Sequence, residues 1–433
     1  MMMSPFLLNY QADNDRPAHW ELPTGAEDIV KTIAAIHLLE KLFEPKHLKG
    51  TGSNCPLVSI AQQSVDFQAI AELIRQYPSI CQESFDFTGK DGKHRRLLPL
   101  SMLCTMKPTL EVVQAAYEAF PSGIARREES RGSLPLHYAA AYEAPLEVLQ
   151  FLVNHSPESL HARLTENISP LDLACYHYNS SRANKNCDRE QSSSLATCKN
   201  IQFLLTAHPE AARVCCNELN WYPLHSAVMS HAPLENVIKP LYAAYPAAAS
   251  SLGRGLDSPL HLACKKRNYD EVVAFLVQNT EDHVLNTPDR DGRTPTLLAA
   301  IYQTPRVIAM LVDRTHRRTD HRGWNLIHLA TVYNSVEAVR FLCERFPEML
   351  SGRTMVCGST PLHLACRRGG NVDIVKALIE YNPSVQLMRD TEGLTPRELA
   401  SERLGKFSNL SPVVQYLNEQ LAFFPRVAVI SDL

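Results

Sequence analysis

The sequence predicts an all-α fold, a solenoid of about ten helix-turn-helix repeats with short β-turn loops. The motif Pro361-Leu362-His363-Leu364-Ala365-Cys366 recurs in altered copies along most of the 433-residue chain. Successive copies lie 31 to 36 residues apart, except for one interval of 53. In five copies a second proline follows the first after 21 to 23 residues. Because no copy can bury its apolar face alone, we expect the copies to stack side by side.

Composition and charge restrict the class of protein. Hydrophobic residues make up 45% and charged residues 21% of the chain, which is typical of a folded protein. The formal net charge of −3 gives no overall attraction to nucleic acid or to an anionic membrane. No window reaches the roughly 18–20 apolar residues of a membrane span, and no basic residue precedes the apolar start, so we expect no secretory signal.

The twelve cysteines include no CxxC pair, and several stand at small apolar positions of the repeat. We therefore expect buried thiols rather than a disulfide framework. A reducing compartment follows, with a cytoplasmic localisation and the nucleus as the alternative.

The N-terminal region differs from the repeats. Residues 1–23 have turn-forming residues without periodicity and are predicted to be a flexible tail. Residues 24–50 are predicted to hold a capping helix, because Thr24 and Glu27 form a capping-box pattern and Pro45 ends an apolar stripe at helical spacing. Such a helix is expected to cover the open end of the array.

Residues 51–421 are predicted to form the array, and each copy has the same plan. Thr or Ser caps a first helix that begins with proline, whose missing N–H is harmless there. A small or polar break leads to a second apolar helix, which a proline-containing element ends. The first helices are predicted to begin at Pro99, Pro135, Pro170, Pro223, Pro259, Pro295, Leu326, Pro361 and Pro396, after a degenerate copy at Pro56.

Two intervals are irregular. The interval of 53 contains a polar, aperiodic insertion, residues 177–199, which is predicted to be a surface loop. We favour a tolerated insertion; a phosphorylated or partner-contacting loop is the alternative. The interval of 31 predicts a truncated second helix or turn. Residues 422–433 are predicted to be a C-terminal tail, and its end, Ser431-Asp432-Leu433, fits a short pattern read by PDZ domains.

The motif Thr-Pro-Leu-His-x-Ala, followed by two helices and a turn, resembles the ankyrin repeat. The resemblance covers roughly residues 51–421. Its histidine is kept as His137, His225, His261, His328 and His363. The resemblance implies a protein that binds partners through its turn tips and the exposed ends of its first helices.

Columns of equivalent repeat positions supply the candidate partner-binding residues. The column before the helix cap contains Trp221, Asp257, Arg293 and Trp324. The column at the end of the first helix contains Tyr142, Tyr176, Lys265, Lys266, Tyr302, Tyr333, Arg367 and Arg368. We expect these side chains to be exposed, and aromatic and arginine side chains are enriched at interface hot spots. The alternative is that they pack on neighbouring repeats and only cover the stack.

Signatures of catalysis are missing from the sequence. We find no phosphate loop, HExxH, GxSxG or GxGxxG after a strand, so we predict no catalytic residue and no cofactor. The pairs His261–Cys264 and His363–Cys366 could each share a helix face, but they are about 25–30 Å apart in a stack, beyond one metal's coordination shell. We expect these histidines to bond the turns and the cysteines to fill the core.

The predicted function is a non-catalytic protein–protein interaction scaffold. It would bind partner proteins of unknown identity through a concave groove and the turn tips, as a monomer. The alternative is an adaptor or regulatory subunit that recruits a target to an enzyme such as a ubiquitin ligase or kinase. Basic clusters are short and interleaved with acidic residues, so we expect no nucleic acid partner.

Overall fold

The computed structural model describes residues 67–88, 94–178, 190–216, 218–315, 319–333, 335–367, 371–403 and 411–423. The predicted tail (1–23), the capping helix (24–50), the repeat start at Pro56 and the residues 424–433 lie outside these ranges. Within them the chain is helical apart from one hairpin and one isolated bridge, which confirms the predicted fold class.

The helices follow the predicted repeat plan. In chain order, the first are α1 (Phe67–Gln76), α2 (Pro99–Leu103), α3 (Leu110–Ala119), α4 (Pro135–Ala141), α5 (Leu146–His155), α6 (Pro170–His177), α7 (Glu190–Ala207), α8 (Pro223–Met229), α9 (Lys239–Ala244) and α10 (Pro259–Cys264). The others are α11 (Asp270–Asn279), α12 (Asp282–Asn286), α13 (Pro295–Tyr302), α14 (Pro305–Val312), α15 (Leu326–Tyr333), α16 (Val336–Arg345), α17 (Pro361–Arg367), α18 (Val372–Tyr381), α19 (Pro396–Arg403) and α20 (Ser411–Phe423).

Every repeat start predicted within these ranges is the first residue of a helix. The second prolines behave in the same regular way, since each begins a 3₁₀ turn that ends its repeat: Pro121, Pro157, Pro246, Pro347 and Pro383. Proline at the first position of either kind of helix loses no hydrogen bond, which is why the two prolines mark the repeat so reliably.

The chain divides into two compact units. Unit 1 comprises the described residues of Met1–Glu218 and Glu235–Tyr245. In it α1 packs on α3, and the first helices α2, α4 and α6 pack in succession around buried side chains such as Leu103 and Leu152. An antiparallel hairpin of β1 (Phe85–Thr88) and β2 (His94–Leu97), with Phe85 opposite Leu97, precedes α2. Sequence analysis did not predict this hairpin.

Unit 2 comprises the described residues of Leu219–Leu234 and Pro246–Leu433. Its first helices α8, α10, α13, α15, α17 and α19 each pack on the next, and so do its second helices α11, α14, α16 and α18. Helix α20 packs against α18 and α19. Apolar side chains between the two helical layers, including Leu298 and Leu342, form the core of this unit.

The motif histidine closes the start of a first helix and joins it to the next repeat. Nδ1 of His261 accepts the N–H of Ser258 (3.2 Å), and Nε2 donates to the carbonyl of Thr287 (3.0 Å). His363 makes the same pair of bonds. Burial lowers the pKa of His261 to about 4, so the ring is neutral at pH 7. With Cys264 fully buried, the predicted structural role of the histidine and the cysteine is confirmed.

Two predicted segments need correction. Residues 190–199 are not a loop but the first part of α7, while 179–189 lie outside the described ranges. Within this part of the helix Leu195 and Ala196 are exposed, whereas Thr197 and Cys198 are buried. Helix α20 extends to Phe423, so residues 422 and 423 are helical rather than part of the tail.

The short interval of 31 residues has the predicted cause. Helix α14 contains 8 residues, whereas the second helix α16 of the following repeat contains 10. The truncated second helix is therefore confirmed.

Candidate functional site

The turns between repeats of unit 2 are closed by buried aspartates. Asp289, Asp320 and Asp390 each accept backbone N–H bonds from the residues two and four positions later, at 2.8–3.0 Å. Arg293 and Trp324 stand four positions after the aspartate in two of these turns. The turn therefore fixes the backbone of both residues, and only their side chains can serve another purpose, such as contact with a partner.

Neighbouring turn tips are also linked through the backbone. The bonds are Arg254 N to Leu219 O (2.7 Å), Arg290 N to Gly255 O (3.3 Å), Met355 N to Arg322 O (3.0 Å) and Thr391 N to Cys357 O (3.1 Å). We call this series of bonds the tip ladder. Because it uses only main-chain atoms, it orders the tips of unit 2 whatever side chains they carry.

Trp221 is half-buried and covers a joint between repeats. Its ring stacks on that of His225, with centroids 6.3 Å apart and planes at 15°. It also lies against Gly253, where an added Cβ would be 2.5 Å from Nε1 of the indole. These contacts favour the alternative in which this aromatic side chain mainly covers the stack.

Trp324 also lies near its motif histidine, with ring centroids 6.4 Å apart and planes at 39° to His328, but it has a second aromatic neighbour. Its ring centroid lies 6.5 Å from that of Tyr333, which is exposed at the end of α15. The next tip is close as well, since a Cβ on Gly323 would be 2.9 Å from Cγ of Met355. The structure thus brings together one residue from each predicted column, and Met355 lies against Gly323, the residue before Trp324 in the chain.

Two predicted cations at the helix ends are engaged within the protein. Nζ of Lys265 lies 3.4 Å from Oδ2 of Asp289, and Nη2 of Arg367 lies 3.6 Å from Oδ2 of Asp390. In both pairs the aspartate belongs to the next turn and is buried. Lys265 and Arg367 therefore neutralise buried turn carboxylates, and only part of each side chain is available to a partner.

The other predicted residues vary in exposure. Tyr302 is exposed in unit 2, and Tyr176 is 54% exposed at the end of α6 in unit 1. Tyr142, Arg293 and Lys266 are half-buried, and Arg368 lies outside the described residues.

The predicted exposure of Asp257 is wrong, because the residue is only 9% exposed. Its carbonyl accepts the N–H of Gly253 at 2.9 Å, and its carboxylate folds back over the turn, where a Cβ on Gly255 would be 2.0 Å from Oδ1. The side chain therefore completes the turn instead of facing a partner.

Met355 and Val356 are candidate residues that sequence analysis missed. They are 74% and 77% exposed, more than any other large apolar side chain in the described ranges. Their turn is held by Thr354, whose Oγ1 accepts the N–H of Ser359 (3.1 Å) in place of a turn aspartate. Equivalent turns read Asp-Arg-Asp-Gly and Asp-His-Arg-Gly, so comparing the turns rather than the helix motif reveals the apolar substitution.

Other kinds of site are not formed by the part of the chain that the structure describes. There, no three side chains of His, Cys, Asp or Glu are grouped so that they could hold a metal ion. No helix in the same ranges has the length and apolar character needed to traverse a bilayer.

Comparison with known proteins agrees with the repeat plan. Two family models match the chain: ankyrin repeats (3 copies) over residues 260–351 and ankyrin repeats (many copies) over residues 352–400. The chain is 31% identical over 148 residues to the ankyrin repeat protein FPV031 of fowlpox virus, a match that covers 33% of this chain and 42% of the viral protein.

Two further relatives are much longer proteins. The tyrosine-protein kinase HTK16 of Hydra vulgaris is 29% identical over 165 residues, covering 38% of this chain and 20% of the kinase. Human Rabankyrin-5 is 28% identical over 125 residues, covering 28% of this chain and 10% of the relative. The matched part of this chain thus spans less than half of each of the three relatives.

Proposed function

We propose that this chain, whose residues 260–400 match ankyrin-repeat family models, is a non-catalytic binding module whose partner protein contacts the tips of unit 2. Ankyrin repeats generally mediate protein–protein interaction. The proposed contact surface, which we call the tip surface, consists of Trp324, Tyr333, Met355 and Val356.

One observation carries this proposal: Met355 and Val356 project into solvent at a turn whose counterparts in neighbouring repeats are polar. A single exposed apolar side chain is ordinary in a protein surface. Two adjacent ones on a turn that packs against Gly323, the residue before Trp324, form an apolar patch near an aromatic residue of a type enriched at interfaces. Since the tip ladder already orders the turn backbone, a partner need not order it on binding.

The test uses a photoreactive benzophenone amino acid at position 356 in the full chain. We expect it to crosslink one major partner in cells, and we expect Met355→Ser with Val356→Ser in a second experiment to reduce capture of that partner at least tenfold. The matched control is position 387, because Leu387 is also an apolar residue of unit 2 and is 62% exposed, but it lies at the end of a 3₁₀ turn. Equal capture by wild type, the serine variant and Leu387→Ser would contradict the proposal.

An adaptor function is a second proposal, and Tyr176 supports it. An adaptor needs a second surface, and Tyr176 is an exposed aromatic residue of unit 1 rather than unit 2. We expect Tyr176→Ser to release a different partner from the one that Met355→Ser releases. Loss of the same partner from both variants would contradict the adaptor function and would leave a binding module with a single partner.

A reducing compartment, cytoplasmic or nuclear, is also proposed. The ten cysteines of the described residues are free thiols. Burial raises the pKa of the Cys104 thiol to about 12, which keeps it in its unreactive protonated form. Microscopy of the tagged full chain would test the localisation, and a secretory location would contradict it.

A further inference from the structure

We propose that the partner segment bound at the tip surface is an extended acidic chain, with an apolar side chain anchored on Met355 and Val356. This inference rests on the proposed function and adds the chemistry of the partner. It follows from the distribution of charge along the tips of unit 2.

Exposed arginines occupy the tips of four consecutive repeats: Arg254, Arg290, Arg322 and Arg353. None of them forms an ion pair with another described residue; the side chains of Arg290 and Arg353 donate instead to the carbonyls of Arg254 and Arg389, both at 2.7 Å. Their charges therefore remain uncompensated at the surface. We call these four residues the arginine row.

The acidic residues of the same turns do not balance the arginine row. Asp289, Asp320 and Asp390 are buried and are used by turn N–H groups. Asp291 and Glu392 are exposed. Oδ2 of Asp291 lies 3.9 Å from Nη1 of Arg293, so Glu392, in the turn before α19, is the exposed carboxylate of these turns that forms no ion pair with a described residue. An edge with this excess of cations attracts a chain of opposite charge.

The second helices of the same unit are different. Arg340 pairs with Glu380 (2.8 Å), and Arg345 pairs with Asp313 (2.9 Å). The whole chain has a formal net charge of −3, so the arginine row is a local feature and not the result of a basic composition. Local excess charge in a protein of opposite net charge indicates a specific partner rather than general adhesion.

The geometry also predicts the spacing of acidic residues in the partner. Stacked helices lie about 8–10 Å apart, and an extended chain advances about 3.3 Å per residue. An acidic residue at roughly every third position would therefore meet successive members of the arginine row. A polyphosphate backbone could satisfy the same charges, but it has no aliphatic side chain to cover Met355 and Val356, and this favours a protein partner.

The experiment is a display selection of random 16-residue peptides on the full chain at 0.15 M NaCl. We expect the enriched peptides to be acidic, with carboxylates about three positions apart and one large apolar residue. Arg254→Glu with Arg322→Glu should weaken their binding about tenfold or more, because two attractive exposed pairs become repulsive. Both arginines are exposed, and neither side chain forms a hydrogen bond or an ion pair with another described residue, so folding should be retained, as checked by circular dichroism. Arg306→Glu, at an exposed arginine of α14, is the matched control and should leave binding within twofold.

The outcomes separate this inference from the proposed function. Enriched peptides that need Met355 and Val356 but are neutral or basic would overturn the acidic partner and leave the proposed function standing. Peptides that bind equally to wild type, to the Met355→Ser and Val356→Ser variant and to the Arg254→Glu and Arg322→Glu variant would overturn both the inference and the proposed function. Tighter binding of a 20-nucleotide poly(dT) strand than of any peptide, lost in the arginine variant, would overturn the inference in favour of nucleic acid.

Discussion

Nζ of Lys265 lies 3.4 Å from Oδ2 of Asp289, which belongs to the turn of the next repeat. The same carboxylate accepts the N–H groups of Asp291 and Arg293 through its other oxygen. One buried side chain thus closes a turn and ties two repeats together. Lys265, which the sequence predicts to be a surface contact, is therefore part of the joint between two repeats.

Replacing this aspartate should destabilise unit 2. We expect Asp289→Ala to lower the free energy of unfolding by about 2–4 kcal/mol, because two turn N–H groups and the Lys265 ammonium lose their charged acceptor. Asp291→Ala is the control; its side chain is exposed, so the change should stay within about 0.5 kcal/mol. Urea denaturation followed by tryptophan fluorescence measures both. Equal midpoints for the two variants would show that the turn does not depend on Asp289.

The packing of Trp221 on Gly253 predicts a coupled pair of substitutions. Sequence analysis places Trp221 among the candidate partner-binding residues, but the contacts of its ring lead us to expect that Trp221→Ala lowers stability. Gly253→Ala should destabilise the wild type by about 1–3 kcal/mol, because its Cβ would overlap the indole. In a Trp221→Ala background the same substitution should cost at least about 1 kcal/mol less. Additive effects in this double-mutant cycle would mean that the two residues do not touch.

The buried motif histidines predict a loss of stability in mild acid. Desolvation lowers the pKa to about 4 in four of them: His137, His225, His261 and His328. A lowered folded pKa means that the stabilisation is complete above the unfolded pKa near 6.5 and is lost as the pH falls toward 4. We expect each of them to contribute on the order of 1–2 kcal/mol of destabilisation at pH 5. Melting temperature should therefore fall steeply between pH 6.5 and 5, and His261→Gln should reduce that slope.

Asp172 leads us to expect the opposite pH dependence of stability at one joint between repeats of unit 1. It replaces the motif histidine, and burial raises its pKa to about 6. A raised folded pKa means that the stabilisation is complete below the unfolded value of 3.8 and is lost as the pH rises through 6. Asp172→Asn keeps an acceptor for the Ser169 N–H and hydroxyl, so it should be more stable than wild type at pH 7 by about 1–3 kcal/mol and equal to it near pH 4. Hydrogen exchange of α6 amides at both pH values measures this difference.

The sequence predicts local features of this fold well and contacts between repeats poorly. Prolines and caps act within one helix, so the starts at Pro99 through Pro396 could be read directly. Trp221 and Trp324 occupy the same repeat position, yet one lies against a glycine of the next turn and the other beside Tyr333 of its own repeat. That difference depends on which residue the next turn presents. Asp257 is a separate case, because its carboxylate folds back over its own turn.

The helical part of the insertion and the tip residues escaped prediction for another reason. Residues 190–199 are mostly polar, with Leu195 as their one large apolar residue, so periodicity could not reveal this helix. Met355 and Val356 contribute nothing to the core, and a pattern of buried positions does not register them. These two residues of the tip surface are therefore ones whose side chains the core does not constrain.

The tip ladder has a consequence for how such a protein can change over generations. Its hydrogen bonds join main-chain atoms, so the residues at positions 355 and 356 can be exchanged without loss of any bond that holds the turns in place. Drift at these positions would alter recognition while leaving folding untouched. A lineage could therefore acquire a new partner by single substitutions, with no need for compensating changes elsewhere in the chain.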